Sequence, residues 1–399
     1  MAEVSRTIAI VPWGDVIEDY LQPIGLSVDQ FAGEMSGGWL FGYTEALGRA
    51  GWTPLVMAPS SSVRTTERLT HSASGVPIWL VPGRSCQAMA NPELRALRQW
   101  VTTPLAAFRG VLRRQGCDAV LVQEYERPQF DALVHLGRSL GLPVFATFQG
   151  GDRTLSRVER AIRSRSVGRA AGLIVAASAE RERIGPVYRG VSVAAIPNPL
   201  DLTEWHPIPR GEARAALGID DGRFIAVTHG RIDVHRKGLD LLLAAWSGPG
   251  ELVLIGSGQD REQFAAMVAG RADVRWISSY TNDRTLIKRW LSAADVYISA
   301  SRIEGMPVAP LEAMACGLPV IGSTAQGIGD ILAGDGPAGG LLFPSGDVPA
   351  LADAIARLRD DRRLREMLGA NARGIVEGRF SVEVVSRQLD EFLRTSRTS

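Results

Sequence analysis

The sequence predicts an α/β protein made of two doubly wound, Rossmann-like parallel sheets. Three observations lead there. Short, almost wholly apolar β-branched runs alternate with amphipathic helix-length stretches from end to end. The 399 residues exceed what one ordinary core holds. A single proline-rich break divides the alternation in two.

The strand candidates of the first half are 7–11, 55–58, 78–81, 119–122, 144–147, 173–176 and 193–196. Those of the second half are 224–228, 252–255, 274–277, 296–299, 320–321 and 341–343. A strand covered by helices on both faces loses the polar–apolar alternation of a half-exposed one, and these runs lack it. The break is 197–210, PNPLDLTEWHPIPR, whose four prolines remove donors that a helix interior or a central strand needs. It reads as a linker. The last segment, 382–393, is amphipathic and ends in a charged tail. In open sheets of this kind ligands bind beyond the carboxyl ends of the strands, so the residues directly after strands are the ones to inspect.

Hydrophobic residues make up 45% and charged residues 22%, a globular balance, and a formal net charge of +1 offers no global field for nucleic acid. Three separated cysteines, Cys86, Cys117 and Cys316, with no C-x-x-C pair, predict reduced thiols and a cytoplasmic setting. No apolar run approaches the roughly 18 residues of a membrane span, and the first residues carry no secretory pattern. With neither an Asp-x-Asp pair nor a Cys/His cluster, no metal and no resident cofactor is expected.

The strand 224–228 runs into His229-Gly230-Arg231, with Lys237-Gly238 six residues on and a helix at 239–246. A guanidinium fork, an ammonium and a helix start in one loop suit a diphosphate. Two solvated cations are the plainer alternative. Of the 44 basic residues, however, only Lys237 and Lys288 are lysines, and one of them falls in this loop. The second constellation is Glu304-Gly305-Met306-Pro307-Val308, leading to Glu312 eight positions after Glu304. Glu304 follows a strand, and Glu312 lies on a helix that opens near 307–308 and stops at Gly317. Two carboxylates bracketing a helix N-terminus suit a molecule with two sugar rings separated by phosphate, a nucleotide sugar. A lone carboxylate amid Leu311, Ala313, Met314 and Cys316 would otherwise be costly.

The run LVLIGSG at 252–258 ends in a Gly-x-Gly turn. Arg261 stands where a dinucleotide fingerprint wants its third glycine, so the NAD reading fails on spacing, while the turn stays consistent with a close backbone approach to a ligand. Gly37-Gly38 before a helix at 40–50 permits a similar approach, as does ordinary turn chemistry. Arg153, Arg157, Arg160 and Arg163 fall on one side of a predicted helix, opposite Leu155, Val158 and Ile162. They form a candidate face for peripheral contact with an anionic membrane, a solvated face being the alternative.

Together these residues resemble glycosyltransferase family 4, retaining transferases with the GT-B fold. The likeness is strongest over 193–322: IPNPLDLTEWHP is similar to the family's linker, GRIDVHRKGLDLLLAAW to its donor motif, LVLIGSGQD to the strand and turn that follow, and EGMPVAPLEAMACGLPVIGS to its Glu-x7-Glu motif. Over 1–190 it rests on SGGWLFGYTEALGRAGW and FATFQGGD. The resemblance implies a hexosyltransferase of glycan biosynthesis that uses a nucleotide-diphosphate sugar as co-substrate, without metal. It implies an acceptor-binding domain at 1–200, with a C-terminal helix at 380–399 packing back on it, and a donor-binding domain at 207–379. Arg231 and Lys237 would hold the diphosphate, with Gly230 beside them. Glu304 would hold donor-sugar hydroxyls, the Gly305–Val308 backbone would lie near sugar and phosphate, and Glu312 would hold the ribose. Tyr280 would flank the nucleobase and Gly38 would meet the diphosphate.

Two departures stand out. Where many members carry a histidine after the fifth strand, TFQGG has Gln149, which can hydrogen-bond a hydroxyl but cannot act as a base; Asp152 is the nearest ionisable alternative. The run from Trp13 to Ser36 is long. Beside the transferase, two further readings stay open: a GT-B scaffold that binds a sugar nucleotide without turning it over, and a sugar-nucleotide epimerase.

Overall fold

The computed structural model describes the chain except residues 1–5, 34, 36–37, 90, 151–154, 279–282, 333–335 and 397–399. The chain forms two compact units, Met1–Pro199 with Val382–Ser399, and Leu200–Ser381.

The first unit holds β1 (Arg6–Val11), β2 (Trp52–Ser60), β3 (Glu67–Thr70), β4 (Pro77–Pro82), β5 (Ala119–Gln123), β6 (Val144–Thr147), β7 (Gly172–Ile174) and β8 (Val193–Ala194). Their order in the sheet is β3-β4-β2-β1-β5-β6-β7-β8, parallel throughout except for the antiparallel β3–β4 edge. Successive side chains of a strand point to opposite faces. On β1, Ile8 and Ile10 accordingly enter one core and Ala9 and Val11 the other, which is why 8–11 has no polar member. Helices Leu105–Arg114 and Pro128–Leu140 bring Phe108, Val111, Phe130 and Val134 to the second core. Helix Gly38–Arg49 covers the first, and helix Val382–Thr395 packs against it through Val382, Val385, Leu389 and Leu393, a stripe at helical spacing. Trp52 Nε1 donates to Asp390 at 3.2 Å and Arg49 pairs with Glu383, fixing the last helix at both ends.

The second unit holds β9 (Ile225–His229), β10 (Glu251–Ile255), β11 (Val274–Ile277), β12 (Val296–Ser299), β13 (Val320–Ser323) and β14 (Gly340–Phe343), all parallel, in the order β11-β10-β9-β12-β13-β14. Two parallel sheets with helices on both faces make the doubly wound α/β class. Strand order reverses between β1 and β5 in the first sheet and between β9 and β12 in the second. At such a reversal the flanking loops diverge to opposite faces and open a crevice.

Three expectations need correction. The edge strand β3 has no apolar run and is mostly exposed; it exists because it pairs with β4. The glycines of the turn after β10 are required by the chain itself. A Cβ at Gly256 would lie 1.9 Å from the Gly230 carbonyl oxygen and one at Gly258 2.2 Å from that of Ile232, so the close approach is made by the chain's own loop after β9. The arginine face is also not one face. In helix Arg157–Val167, capped by the Ser156–Glu159 box, Arg163 is wholly buried, with Nε and Nη2 donating to Asp131 at 2.8 and 2.9 Å, while Val158 on the supposed apolar side is 64% exposed. A buried carboxylate demanded its cation, and that pairing set the helix rotation. Arg157 and Arg160 stay exposed, and Arg153 lies outside the described residues. No described helix is long and apolar enough to cross a membrane.

Candidate active site

The reversal between β9 and β12 positions most of the residues singled out in the second half. Strand β9 ends at His229, Gly230 turns with φ +132°, and the loop runs through Arg231 to Lys237 before helix Leu239–Ala245. From β12 the chain passes Ser301 and Glu304 to Pro307, which caps helix Val308–Ala315 without a side-chain hydrogen bond. A cavity opens between the loops, walled by His229, Arg231, Lys237, Ser301, Glu304 and Pro307. The loops are tied directly. Arg302 makes a two-pronged pair with Asp240, both distances 2.7 Å, and this pairing holds the Asp240 carboxyl below its ordinary range. The Arg302 amide also donates to the Arg236 carbonyl at 2.8 Å.

Lys237 Nζ lies 2.5 Å from Glu304 Oε1, and the same oxygen accepts from Ser301 Oγ at 2.7 Å. Ser301 is itself held, its carbonyl accepting from Ser323 Oγ at 2.5 Å. The Lys237 side chain keeps 30% of its surface and that of Glu304 9%, so the ammonium sits at the rim and the carboxylate below it. Gly305 and Met306 are fixed by Gly327, where φ is +82° and a Cβ would stand 1.6 Å from the Gly305 carbonyl oxygen. Glu312 is not on the cavity wall. It reaches the cavity through His229, whose Nε2 is 2.7 Å from Glu312 Oε2. His229 Nδ1 has no hydrogen-bond partner among the described residues. An orphaned buried N–H costs more than an orphaned lone pair, which places the ring proton on Nε2, facing the carboxylate. Tyr297 packs edge-on against the ring with centroids 5.5 Å apart, and its hydroxyl donates to the His229 carbonyl at 3.2 Å. Burial pushes that phenol's pKa up, so it stays a neutral donor.

In the first unit, Gln149 follows β6. Its Nε2 donates to Gln123 Oε1 and Thr147 Oγ1, both at 3.0 Å, and Asn198 Nδ2 lies 3.4 Å from its Oε1. The donor end is committed and Asn198 takes one Oε1 lone pair, which leaves the other as the amide's spare capacity. Gly38 opens helix Gly38–Arg49, while Gly37, Asp152 and Tyr280 lie outside the described residues. Three residues that sequence reasoning passed over belong to these sites: His229, Ser301 and Glu124. The first ends β9 immediately before the Gly-Arg pair, the one positional signal available.

The sequence profile of the family described as Glycosyl transferases group 1 matches residues 223–361. The chain is 31% identical over 268 residues to an alpha-maltose-1-phosphate synthase of Mycolicibacterium smegmatis, an alignment spanning 61% of this chain and 67% of that one. It is 27% identical over 221 residues to the lipopolysaccharide core biosynthesis mannosyltransferase LpsB of Rhizobium meliloti, covering 51% of this chain and 60% of that relative. Another similar protein, a GDP-mannose-dependent phosphatidylinositol monomannoside mannosyltransferase of Corynebacterium glutamicum, is covered over 55% of its length and aligns with 50% of this chain at 27% identity. Among solved structures, sucrose-phosphate synthase from Thermosynechococcus elongatus superposes with a TM-score of 0.76 at 21% identity, covering 98% of both chains. Anabaena HepE in complex with UDP-glucose gives 0.71 at 16% identity over 98% of this chain and 99% of that one. These likenesses establish the fold as GT-B, and with the profile match and the M. smegmatis relative they place this chain in the group 1 glycosyl transferases, the family 4 type.

Proposed function

We propose that the protein is a retaining glycosyltransferase that moves a hexosyl group from a nucleotide-diphosphate sugar to a hydroxyl acceptor. The observation that carries this reading is the joining of Lys237, Glu304 and Ser301 in one contact at the crevice between β9 and β12, with Arg231 on the same wall. An anion-binding cation and a hydroxyl-binding carboxylate side by side match the junction of a phosphate and a sugar ring. A solved neighbour of the same fold, HepE, is titled as a complex with UDP-glucose.

In the reaction, the bond between the anomeric carbon and the diphosphate oxygen breaks and its electron pair leaves on the diphosphate. Arg231 and Lys237 meet that growing charge where it appears, which lowers the barrier more than it tightens ground-state binding. The acceptor oxygen bonds to the anomeric carbon from the same face, and its proton passes to the departing diphosphate oxygen. Gln149 accepts at Oε1 a hydrogen bond from a second hydroxyl of the acceptor and so orients it, while the reacting hydroxyl keeps its own proton for the diphosphate. No base is required of it.

The test is incubation with UDP-glucose, GDP-mannose and ADP-glucose, with nucleoside diphosphate release and thermal shift as readouts. Slow donor hydrolysis by one of the three is expected. Binding with no release in the presence of sugar and polyol acceptors would favour a non-catalytic scaffold, and no binding of any donor would end the proposal.

A further inference from the structure

Glu124, the residue directly after β5, has φ +101°, the single non-glycine residue with positive φ among those described. An L side chain is strained there, and such strain persists where the surroundings over-determine it. The residue is also 95% buried, an unusual place for a carboxylate. Both oxygens are used. Oε1 accepts the Glu126 amide at 2.9 Å, and Oε2 accepts the Gln149 amide at 3.1 Å.

The sheet explains the need. Gln123 and Thr147 are the last paired residues of β5 and β6. Beyond them the Tyr125 amide goes back to the Thr147 carbonyl and the Phe148 amide crosses to Ile174 on β7. The Gln149 amide is then one step past the ladder, with no strand carbonyl opposite. Such a group must find another acceptor. A left-handed turn at residue 124 swings the Glu124 carboxylate to that spot. A glycine would make the turn without strain but would bring no acceptor.

We propose that Glu124 is a positioning residue for acceptor activation. Its strained backbone and buried carboxylate hold the Gln149 main chain while Gln123, Thr147 and Asn198 hold the Gln149 side chain, so that Oε1 has one orientation. This rests on the transferase reading for its consequence in catalysis, but not for the structural link itself. Burial raises the pKa of the Glu124 carboxyl, and the hydrogen bonds from the Glu126 and Gln149 amides, then the charges of Arg127 and Arg163, oppose that rise.

The experiment compares Glu124→Gly, Glu124→Gln and wild type. Glycine relieves the φ strain, so Glu124→Gly is expected to fold and melt close to wild type. Hydrogen–deuterium exchange of the peptide carrying Gln149 should then rise about tenfold, with peptides of β9–β12 unchanged. With the donor that wild type turns over, kcat should fall about tenfold or more while donor KM stays within about twofold. Glu124→Gln, which keeps one carbonyl acceptor, should fall between the two. Unchanged exchange at Gln149 overturns the proposal, as does a lowered melting temperature with kcat intact. If wild type releases no nucleotide from UDP-glucose, GDP-mannose or ADP-glucose, the transferase reading is what fails, and the exchange arm alone decides whether Glu124 holds Gln149.

Discussion

Replacing Lys237 with alanine separates what the Lys237–Glu304 contact does for the fold from what it does for the reaction. At 2.5 Å the gross attraction is about 7 kcal/mol with an effective dielectric of about 20, but desolvation and side-chain ordering cancel most of it. With 30% of the lysine and 9% of the glutamate side chain exposed, the pair lies between a surface bridge, worth about 0.2–1 kcal/mol, and a buried one, whose rupture costs about 3–5. A loss of about 2 kcal/mol follows, roughly 4–8 °C in melting temperature for a unit of this size. The kinetic effect should be larger, because a cationic donor aimed at charge that develops in the transition state is worth about 100- to 1,000-fold in kcat. The assay is nucleoside diphosphate release by Lys237→Ala, Glu304→Gln and the double variant, each with its melting curve. The double variant should regain most of the lost stability, since no charge is left unpaired, yet stay as slow as Lys237→Ala or slower. A kcat for Lys237→Ala within about threefold of wild type would refute the assignment. So would recovery of activity in the double variant.

The remaining predictions concern the first unit. Arg163→Met should cost about 3–5 kcal/mol, read as a large fall in melting temperature, because it strands the buried Asp131 carboxylate; Arg157→Ala and Arg160→Ala on the exposed side should stay within about 0.5. A melting temperature for Arg163→Met equal to wild type would show that the pair is dispensable. Burial, reinforced by the neighbouring Glu124 charge, pushes the Glu126 carboxyl from its ordinary 4.5 up to about 7. Because the folded value is raised, the native state holds that proton more tightly than the unfolded chain. The stability this contributes is full below pH 4.5 and lost as pH rises through 7. Glu126→Gln stays neutral throughout, so its advantage over wild type should grow from pH 5 to pH 8, by at most about 3 kcal/mol. An equal difference in melting temperature at both pH values would contradict this.

What could be read from the sequence depended on whether the cause was local. The buried parallel strands were legible because every residue of a run such as 252–255 is apolar, and two-sided burial demands that. The order of Arg231, Lys237, Glu304 and Glu312 after consecutive strands was legible for the same reason, since strand ends are where the fold puts ligands. Causes that lie across the chain were not. Asp131, 32 positions before Arg163, decides that arginine's burial, and no helical periodicity carries that information. Strand β3 exists through its neighbour rather than through its own composition. Glu124 looks like any loop acid until the Gln149 amide is seen without a strand carbonyl. His229 looks like a stray histidine until Glu312, 83 positions away, comes to its Nε2.

The chain passes between its two units twice, after Pro199 and again before Val382, and the two passages adjoin: Leu200 bridges to Ser381, and its amide donates to the Phe380 carbonyl at 2.8 Å. The second unit is therefore an insertion into the first, entered and left through neighbouring doorways. On the ribosome this inverts the order of completion. Residues 200–381 emerge as one continuous piece holding all six of their described strands, whereas the first unit still lacks the last helix packed into one of its cores. The half of the protein that is synthesised first is the half that is finished last.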